Sequence, residues 1–206
     1  VLGETDFCGH TFQVVPGVLI PRPETAELCE LIVQQKPHGN ILDIGTGSGC
    51  IAISLALTLR RTAQITAWDL SEDALSIAAR NARNLQADVT FVHQDALQPP
   101  HDQNSWDMIV SNPPYVTEQE RADMKKNVLN YEPAMALFVP DNDPLRFYRS
   151  ILKYAKIALM PGGALYFEIN PIYAEAMKSL VSKENFHSVA IYKDSFGKLR
   201  MLKAQL

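Results

Sequence analysis

The chain has 206 residues, 47% of them apolar and 20% charged, the composition of an ordinary globular protein long enough to bury a full core. Its formal net charge of −4 lacks the basic excess of a domain that grips nucleic acid by its phosphates, so direct nucleic-acid binding is not expected. No apolar run approaches the roughly 18 residues of a membrane-spanning helix, and Val1-Leu2-Gly3-Glu4 does not open a signal peptide, so a cytoplasmic protein with no membrane association is the default expectation.

Two short alternating stretches, around Glu4 to Phe7 and Thr11 to Val15, flank Cys8-Gly9-His10 and predict a β-hairpin. Val18-Leu19-Ile20 then runs into Pro21-Arg22-Pro23, whose prolines hold the backbone extended. Residues 1–23 are therefore expected to form a hairpin and linker ahead of a main domain over 24–206. With Val1 in place of Met, a fragment or processed chain is the expectation. Leu28, Leu31 and Ile32, with Cys29 beside them, recur at helical spacing and predict an amphipathic helix over 24–35, which Pro37-His38-Gly39-Asn40 ends. Ile41-Leu42-Asp43-Ile44 reads as a strand, Gly45-Thr46-Gly47-Ser48-Gly49 as a glycine loop and residues 50–60 as an apolar helix, the opening of a βαβ unit. A second strand over 64–68 stops at Asp69, and Ser71 can cap a helix over 72–85. Residues 89–92 form a third strand ending near Asp95, and Trp106 to Val110 a fourth that leads to Asn112. From Thr117 to Asn142 the pattern weakens into charged, irregular sequence, the mark of a functional or disordered connection. A helix over 144–159, a turn at Pro161-Gly162-Gly163, a strand over 164–169 and a helix over 172–184 follow. The last apolar stretches, 188–193 and 199–204, join through Ser195-Phe196-Gly197 as an antiparallel closing hairpin, and strands alternating with helices place the chain in the α/β class.

The glycine loop has Cys50 where the dinucleotide fingerprint requires its third glycine, so a nicotinamide cofactor is not favoured. Its glycines still let the backbone approach a ligand closely. Asp69, at the end of the second strand, is placed to bond a ribose diol, or else is an acid entering the helix behind Ser71. Asp95 can reach an exocyclic amine or stand as a plain loop acid. Asp43 lies in a strand that must be buried, so it needs either loop N–H groups or a cationic ligand. Arg22 between two prolines is a ligand contact or a surface charge. His10, His38, His93, His101 and His187 are scattered without metal-ligand spacing, and Cys8, Cys29 and Cys50 form no Cys-x-x-Cys pair. No metal is expected.

Directly after the fourth strand stands Asn112-Pro113-Pro114-Tyr115. Proline has no N–H for a sheet ladder, so the chain must leave the sheet here, at the edge where open α/β sheets place ligands. The amide oxygen and proline carbonyls are acceptors beside an aromatic ring, a set that suits a planar NH2 group. A simple strand-ending turn accounts for the same residues.

Ile41 to Gly49, Asp69 and Asn112 to Tyr115 together resemble the class I S-adenosylmethionine-dependent methyltransferases that modify a planar nitrogen. With Val18-Leu19-Ile20-Pro21-Arg22-Pro23-Glu24-Thr25, Tyr131-Glu132-Pro133 and Ala136-Leu137-Phe138, the whole chain resembles the catalytic domain of the HemK/PrmC release-factor glutamine methyltransferases. Two departures are mild. Glu168-Ile169-Asn170 stands for the usual Glu-Ile-Gly, and Asp194-Ser195-Phe196-Gly197 follows Asp-Leu-Ala-Gly only loosely. The resemblance implies a seven-stranded Rossmann-like sheet with helices on both faces, S-adenosylmethionine as methyl donor, and as acceptor the glutamine amide of the Gly-Gly-Gln motif in a class 1 peptide-chain release factor. It implies that Gly45, Thr46, Gly47, Gly49, Asp69, Leu70, Asp95, Ala96 and Asn112 bind the cofactor. Asn112, Pro113, Pro114 and Tyr115, with Arg22 at the entrance, would hold the substrate, with Asn112, Pro113 and Tyr115 catalytic. An N6-adenine or N2-guanine nucleic-acid methyltransferase is the nearest rival, and a non-catalytic binding module with the same fold is a third reading.

Overall fold

In the computed structural model, which describes residues 3–117, 119–120 and 138–206, a seven-stranded sheet carries helices on both faces. The strands are β3 (Gly39–Ile44), β4 (Ala63–Asp69), β5 (Val89–His93), β6 (Trp106–Ser111), β9 (Leu159–Glu168), β10 (His187–Lys193) and β11 (Leu199–Gln205), in the spatial order β10-β11-β9-β6-β3-β4-β5. The β3, β4, β5, β6 and β9 pairings are parallel, while β11 runs antiparallel to β9 and to β10.

Alternation along the strands sorts the core into two layers. Ile41, Met108 and Val110 face one apolar cluster with Leu28 and Ile32 of α1 (Pro23–Gln34) and Ile51 and Leu55 of α2 (Cys50–Thr58). Leu42, Ile109 and Phe167 face the other, with Ile151 and Leu152 of α4 (Arg146–Ala158) and Met177 and Val181 of α5 (Ala174–Lys183). Helix α3 (Glu72–Leu85) starts behind Ser71, whose Oγ accepts the Ala74 N–H at 3.2 Å, and adds Ala82 to the first cluster.

The N-terminal hairpin pairs β1 (Glu4–Phe7) with β2 (His10–Gln13) across a two-residue turn, with Cys8 and Gly9 both at positive φ. That is the turn whose twist matches paired strands. The hairpin is fastened to the body by Phe7 and Phe12 in the first core cluster and by Asn81 of α3, which accepts the Gln13 N–H and donates to the Gln13 carbonyl.

Two boundaries differ from the sequence-based expectation. Pro161-Gly162-Gly163 is not a turn ahead of a strand but lies within β9, where Leu159 pairs with Trp106 and Ala164 with Met108. The extra residues bulge out, and Gly162 takes φ +79° to allow it. The ends of the 117–142 connection are pinned by a two-residue parallel pairing of β7 (Val116–Thr117) with β8 (Phe138–Val139). Tyr131-Glu132-Pro133 and Ala136-Leu137 of the resemblance lie outside the described residues.

Candidate active site

Strand β3 is the switch point of the sheet. The chain leaves it toward β4 on one side, and β6 lies on the other, which opens a crevice at their carboxyl ends. Ser111 closes the floor by donating its Oγ–H to the Ile44 carbonyl at 2.7 Å. The glycine loop enters this crevice and is tied to β4, since the Gly45 and Thr46 N–H groups donate to the Trp68 carbonyl at 2.8 and 2.9 Å. Gly45 and Gly47 hold φ of +77° and +56°, and a Cβ at either would meet nothing within 4 Å, so the loop presents open backbone to a ligand. Gly49 differs: a Cβ there would lie 2.8 Å from Ile53 Cδ1 and 3.0 Å from Ala78 Cβ. Its lack of a side chain serves the packing of α2 on α3.

Asp69 ties the loops after β3 and β4 together, with Oδ2 accepting the Gly47 N–H at 2.8 Å and Oδ1 the Ser71 N–H at 2.9 Å. Burial raises its pKa and these N–H groups oppose the rise. Each oxygen keeps a further lone pair. The exposed Leu70 has its carbonyl 2.8 Å from His93 Nε2, which must therefore carry the proton. Asp95 folds its own loop, accepting the Leu97 N–H at 2.8 Å and the Gln98 Nε2–H at 3.2 Å, and the Ala96 carbonyl accepts the Ser150 hydroxyl of α4 at 2.7 Å.

Beneath the glycine loop Asp43 is fully buried. Oδ2 accepts the Thr46 hydroxyl at 2.7 Å, while Oδ1 has no hydrogen-bond partner. Burial lifts its pKa to about 7, against the pull of the Thr46 hydroxyl. A buried acid with a spare oxygen under an open loop suits a cationic ligand.

Across the crevice, the first turn of α1 meets the end of β6. Arg22 is the N-cap with Pro23 behind it, and the Arg22 carbonyl accepts the Thr25 N–H, which sets Thr25 in the first turn. Asn112 Nδ2 donates to Thr25 Oγ1 at 3.3 Å, and Thr25 Oγ1 donates to Glu168 Oε2 at 2.6 Å. The Tyr115 hydroxyl donates to Glu168 Oε1 at 2.9 Å and receives an Arg200 N–H at 3.4 Å. Arg200 Nε lies 3.5 Å from Asp194 Oδ2. Burial pushes Asp194 upward, but the Lys198 and Phe196 N–H groups and the Arg200 guanidinium bring it below its usual value. Asn170 Nδ2, two residues past the end of β9, donates to the Tyr115 carbonyl at 3.4 Å and braces the Asn-Pro-Pro-Tyr turn.

The structure thus gathers Gly45, Thr46, Gly47, Asp69 and Leu70 on one wall of the crevice, with the Asp95–Ala96 loop joined to them where the Gln94 N–H donates to the Asp69 carbonyl at 3.0 Å. Asn112 and Tyr115 stand on the other wall with α1. Thr25, Glu168 and Arg200 were not singled out as site residues from sequence. An acid inside the apolar run Ala164 to Ile169 was the available signal for Glu168, the same signal that marked Asp43. A surface cleft of about 680 Å³ beside α4, lined by Pro99, Asp102, Arg146 and Lys153 among others, includes none of these strand-end residues. Among the described residues no group of three or more His, Cys, Asp or Glu could hold a metal ion, and no described helix is long and apolar enough to cross a membrane.

Comparison with known proteins agrees with this architecture. The family model "Methyltransferase small domain" matches residues 24–135. The 16S rRNA N2 G1207 methyltransferase of T. thermophilus, solved with AdoMet and guanosine, superposes with a TM-score of 0.70 at 18% identity, over 98% of this chain and 49% of that one. The ribosomal protein L11 methylase of Lactobacillus delbrueckii subsp. bulgaricus gives 0.62 at 15% identity, over 92% and 80%. These likenesses establish the fold. Sequence relatives go further: the release factor glutamine methyltransferase of Flavobacterium psychrophilum is 47% identical over 98% of this chain and 73% of its own length. The protein of the same name from Bacteroides thetaiotaomicron is 54% identical over 99% of this chain and 74% of its own length, and the chain belongs to the release factor glutamine methyltransferase family.

Proposed function

We propose that the chain transfers a methyl group from S-adenosylmethionine to the side-chain amide nitrogen (N5) of the glutamine in the Gly-Gly-Gln motif of a class 1 peptide-chain release factor. The observation that carries this reading is the orientation of Asn112 at the switch point: its NH2 end is bonded to Thr25, which leaves Oδ1 as an acceptor. A glutamine amide has two N–H donors in one plane, and two acceptors at the end of β6 can take both. Pro113 and Pro114 contribute no N–H that would compete.

The bound cofactor supplies an electrophilic methyl carried on a sulfonium. Gly45 and Gly47, with Thr46 fixed between them, offer it open backbone, Asp69 the acceptors for its ribose hydroxyls, and Leu70 with Asp95 and Ala96 the flank for its adenine. Gly49 supports that loop by letting α2 pack on α3, and Asp43 lies below with an oxygen to spare, its ionised form favoured by a cation above it.

An amide nitrogen is a weak nucleophile because its lone pair is delocalised into the carbonyl. Asn112 and Pro113 fix both N–H bonds so that the nitrogen's remaining face is turned toward the methyl, and Tyr115 packs its ring on the flat of the amide. Rate comes from positioning and from acceptors that match the charge developing on the N–H groups. After transfer the nitrogen bears one proton too many, is strongly acidic and loses it to water, so no strong base is required. Arg22, at the start of α1, lines the entrance. The acidic balance of the chain disfavours a polyanionic substrate.

The test is Asn112→Ala. Transfer to a release factor should fall by roughly 10² to 10³, the scale of losing one positioned hydrogen-bond partner in the transition state. Affinity for S-adenosylmethionine measured by calorimetry should fall far less than transfer, because Asn112 is one of several residues assigned to the cofactor while Gly45, Gly47 and Asp69 remain. Undiminished transfer would remove Asn112 from the reaction.

A further inference from the structure

The orientation of Asn112 is decided elsewhere in the fold. A hydroxyl has one proton to give. Thr25 gives its proton to Glu168 Oε2 at 2.6 Å, so it can offer Asn112 only a lone pair, and the NH2 end of the amide must face it. Were Thr25 to give that proton to Asn112 instead, the amide would turn over and present NH2 to the substrate's own NH2, donor against donor. What keeps the Thr25 proton on Glu168 is that Glu168 is an acceptor at both oxygens, with Tyr115 bonded to Oε1 at 2.9 Å.

We propose that Glu168 is a positioning residue for methyl transfer: acting through Thr25, and only as a carboxylate, it sets which end of the Asn112 amide faces the substrate. The inference rests on Asn112 being the residue that holds a substrate NH2 group.

A proton on Glu168 has an asymmetric effect. On Oε1 it would be donated to the Tyr115 hydroxyl, which already receives an Arg200 N–H and would lose the acceptor for its own proton. On Oε2 it is donated to Thr25, whose hydroxyl then turns its proton to Asn112 and reverses the amide. The second arrangement leaves every hydroxyl proton with an acceptor, so protonation switches Asn112 to the unproductive orientation.

The charged and titratable groups around Glu168 come from every element packed on it: Glu24 from α1, Tyr115 from the turn after β6, Tyr148 from α4 and Arg200 from β11. The Tyr148 hydroxyl is bound to the Glu168 backbone carbonyl at 2.8 Å and leaves the carboxylate alone. Burial raises the Glu168 pKa to about 7, with Glu24 adding to the rise and Thr25, Tyr115 and Arg200 opposing it. Methyl transfer should therefore gain rate as pH rises through about 7.

The experiment measures kcat with saturating S-adenosylmethionine and a release factor as acceptor, from about pH 6 to about pH 9. It compares the wild-type full chain with Thr25→Val, Thr25→Ser and Glu168→Gln. Wild-type kcat should rise with pH around 7. Thr25→Val keeps shape but removes the relay, and kcat should fall on the order of 10- to 100-fold, whereas Thr25→Ser should restore it to within about threefold. Glu168→Gln should be slow and lose the acid limb. Cofactor affinity by calorimetry should stay within about twofold in each variant.

A wild-type kcat in Thr25→Val, or a wild-type acid limb in Glu168→Gln, would overturn the proposal. A purely structural role would lower melting temperature and cofactor affinity while leaving the acid limb of kcat in place. If Glu168→Gln fails to fold, the Val and Ser pair at Thr25 decides alone. A wild type that methylates nucleic acid and not the release factor would overturn the glutamine reading instead, and the same variants would then be judged on that NH2 acceptor.

Discussion

Replacing Asp69 by Ala tests two duties at once, the stitching of two loops seen in the structure and the ribose contact proposed for the same side chain. Without ligand, the carboxylate accepts the Gly47 N–H at 2.8 Å and the Ser71 N–H at 2.9 Å, stitching the loops after β3 and β4. Hydrogen bonds to a charged group contribute about 1.5–3 kcal/mol each. Here the gain is offset twice, because the site is half-buried and water can replace the carboxylate, and because burial already disfavours its ionised form. A net loss of about 2 kcal/mol is expected, roughly 4–8 °C in melting temperature for a chain of this length. With ligand, the remaining lone pairs would bond the two ribose hydroxyls. Losing both bonds removes about 3 kcal/mol of binding, which is on the order of 100-fold in Kd at 1.4 kcal/mol per decade. Asp69→Asn keeps one acceptor and should recover part of each effect. The assay is calorimetric titration with S-adenosylmethionine beside thermal unfolding of the free protein. Unchanged affinity in Asp69→Ala would refute the ribose role, and unchanged melting would refute the stitching of the two loops.

Gly49→Ala would place a methyl 2.8 Å from Ile53 Cδ1 and 3.0 Å from Ala78 Cβ at a backbone φ of +82°. Overpacking and left-handed strain together should cost about 2–4 kcal/mol in chemical denaturation, and a change below about 1 kcal/mol would contradict the packing role. The pH dependence of stability has a definite sign. Asp43 and Glu168 both titrate at about 7 in the folded chain, above their ordinary values of 3.8 and 4.5. The folded state therefore holds these protons more tightly than the unfolded state. Their contribution is complete below about pH 4 and is lost as pH rises to about 7, by roughly 4 kcal/mol for Asp43 and roughly 3 for Glu168 at about 1.4 kcal/mol per pKa unit. Denaturation of the ligand-free chain between about pH 5 and about pH 8 should show this decline, and Asp43→Asn should flatten it. A slope in Asp43→Asn equal to that of the wild type would show that Asp43 is already ionised at low pH.

Much of this was legible in the chain because local physics and tertiary structure agree. Two prolines after an apolar run fixed the end of β6, Ser71 fixed the start of α3, and the glycine loop fell between β3 and α2. The extent of β9 was not legible, since Pro161-Gly162-Gly163 has turn chemistry and only pairing with β6 and with the chain end carries it into the sheet: the Gly162 N–H donates to the Leu206 carbonyl at 3.1 Å. In the site, residues at strand ends could be read one at a time, because topology places every strand end on one rim. The relay from Glu168 to Thr25 to Asn112 could not be read, since Thr25 and Glu168 stand 143 residues apart and meet only when α1 packs over β9. Asp43 and Glu168 each showed as an acid in an apolar strand, a sign that a partner was needed but not which one.

The most direct measurement is to incubate the protein with labelled S-adenosylmethionine and a release factor, digest the product, and locate the added methyl group by fragment mass spectrometry. The label is expected on the side-chain nitrogen of the glutamine in the Gly-Gly-Gln motif, and it should vanish when that glutamine is replaced. A label on any other residue, or on DNA or RNA supplied in parallel with the release factor left unmodified, would contradict the assignment of the Asn112 and Pro113 acceptors to a glutamine amide.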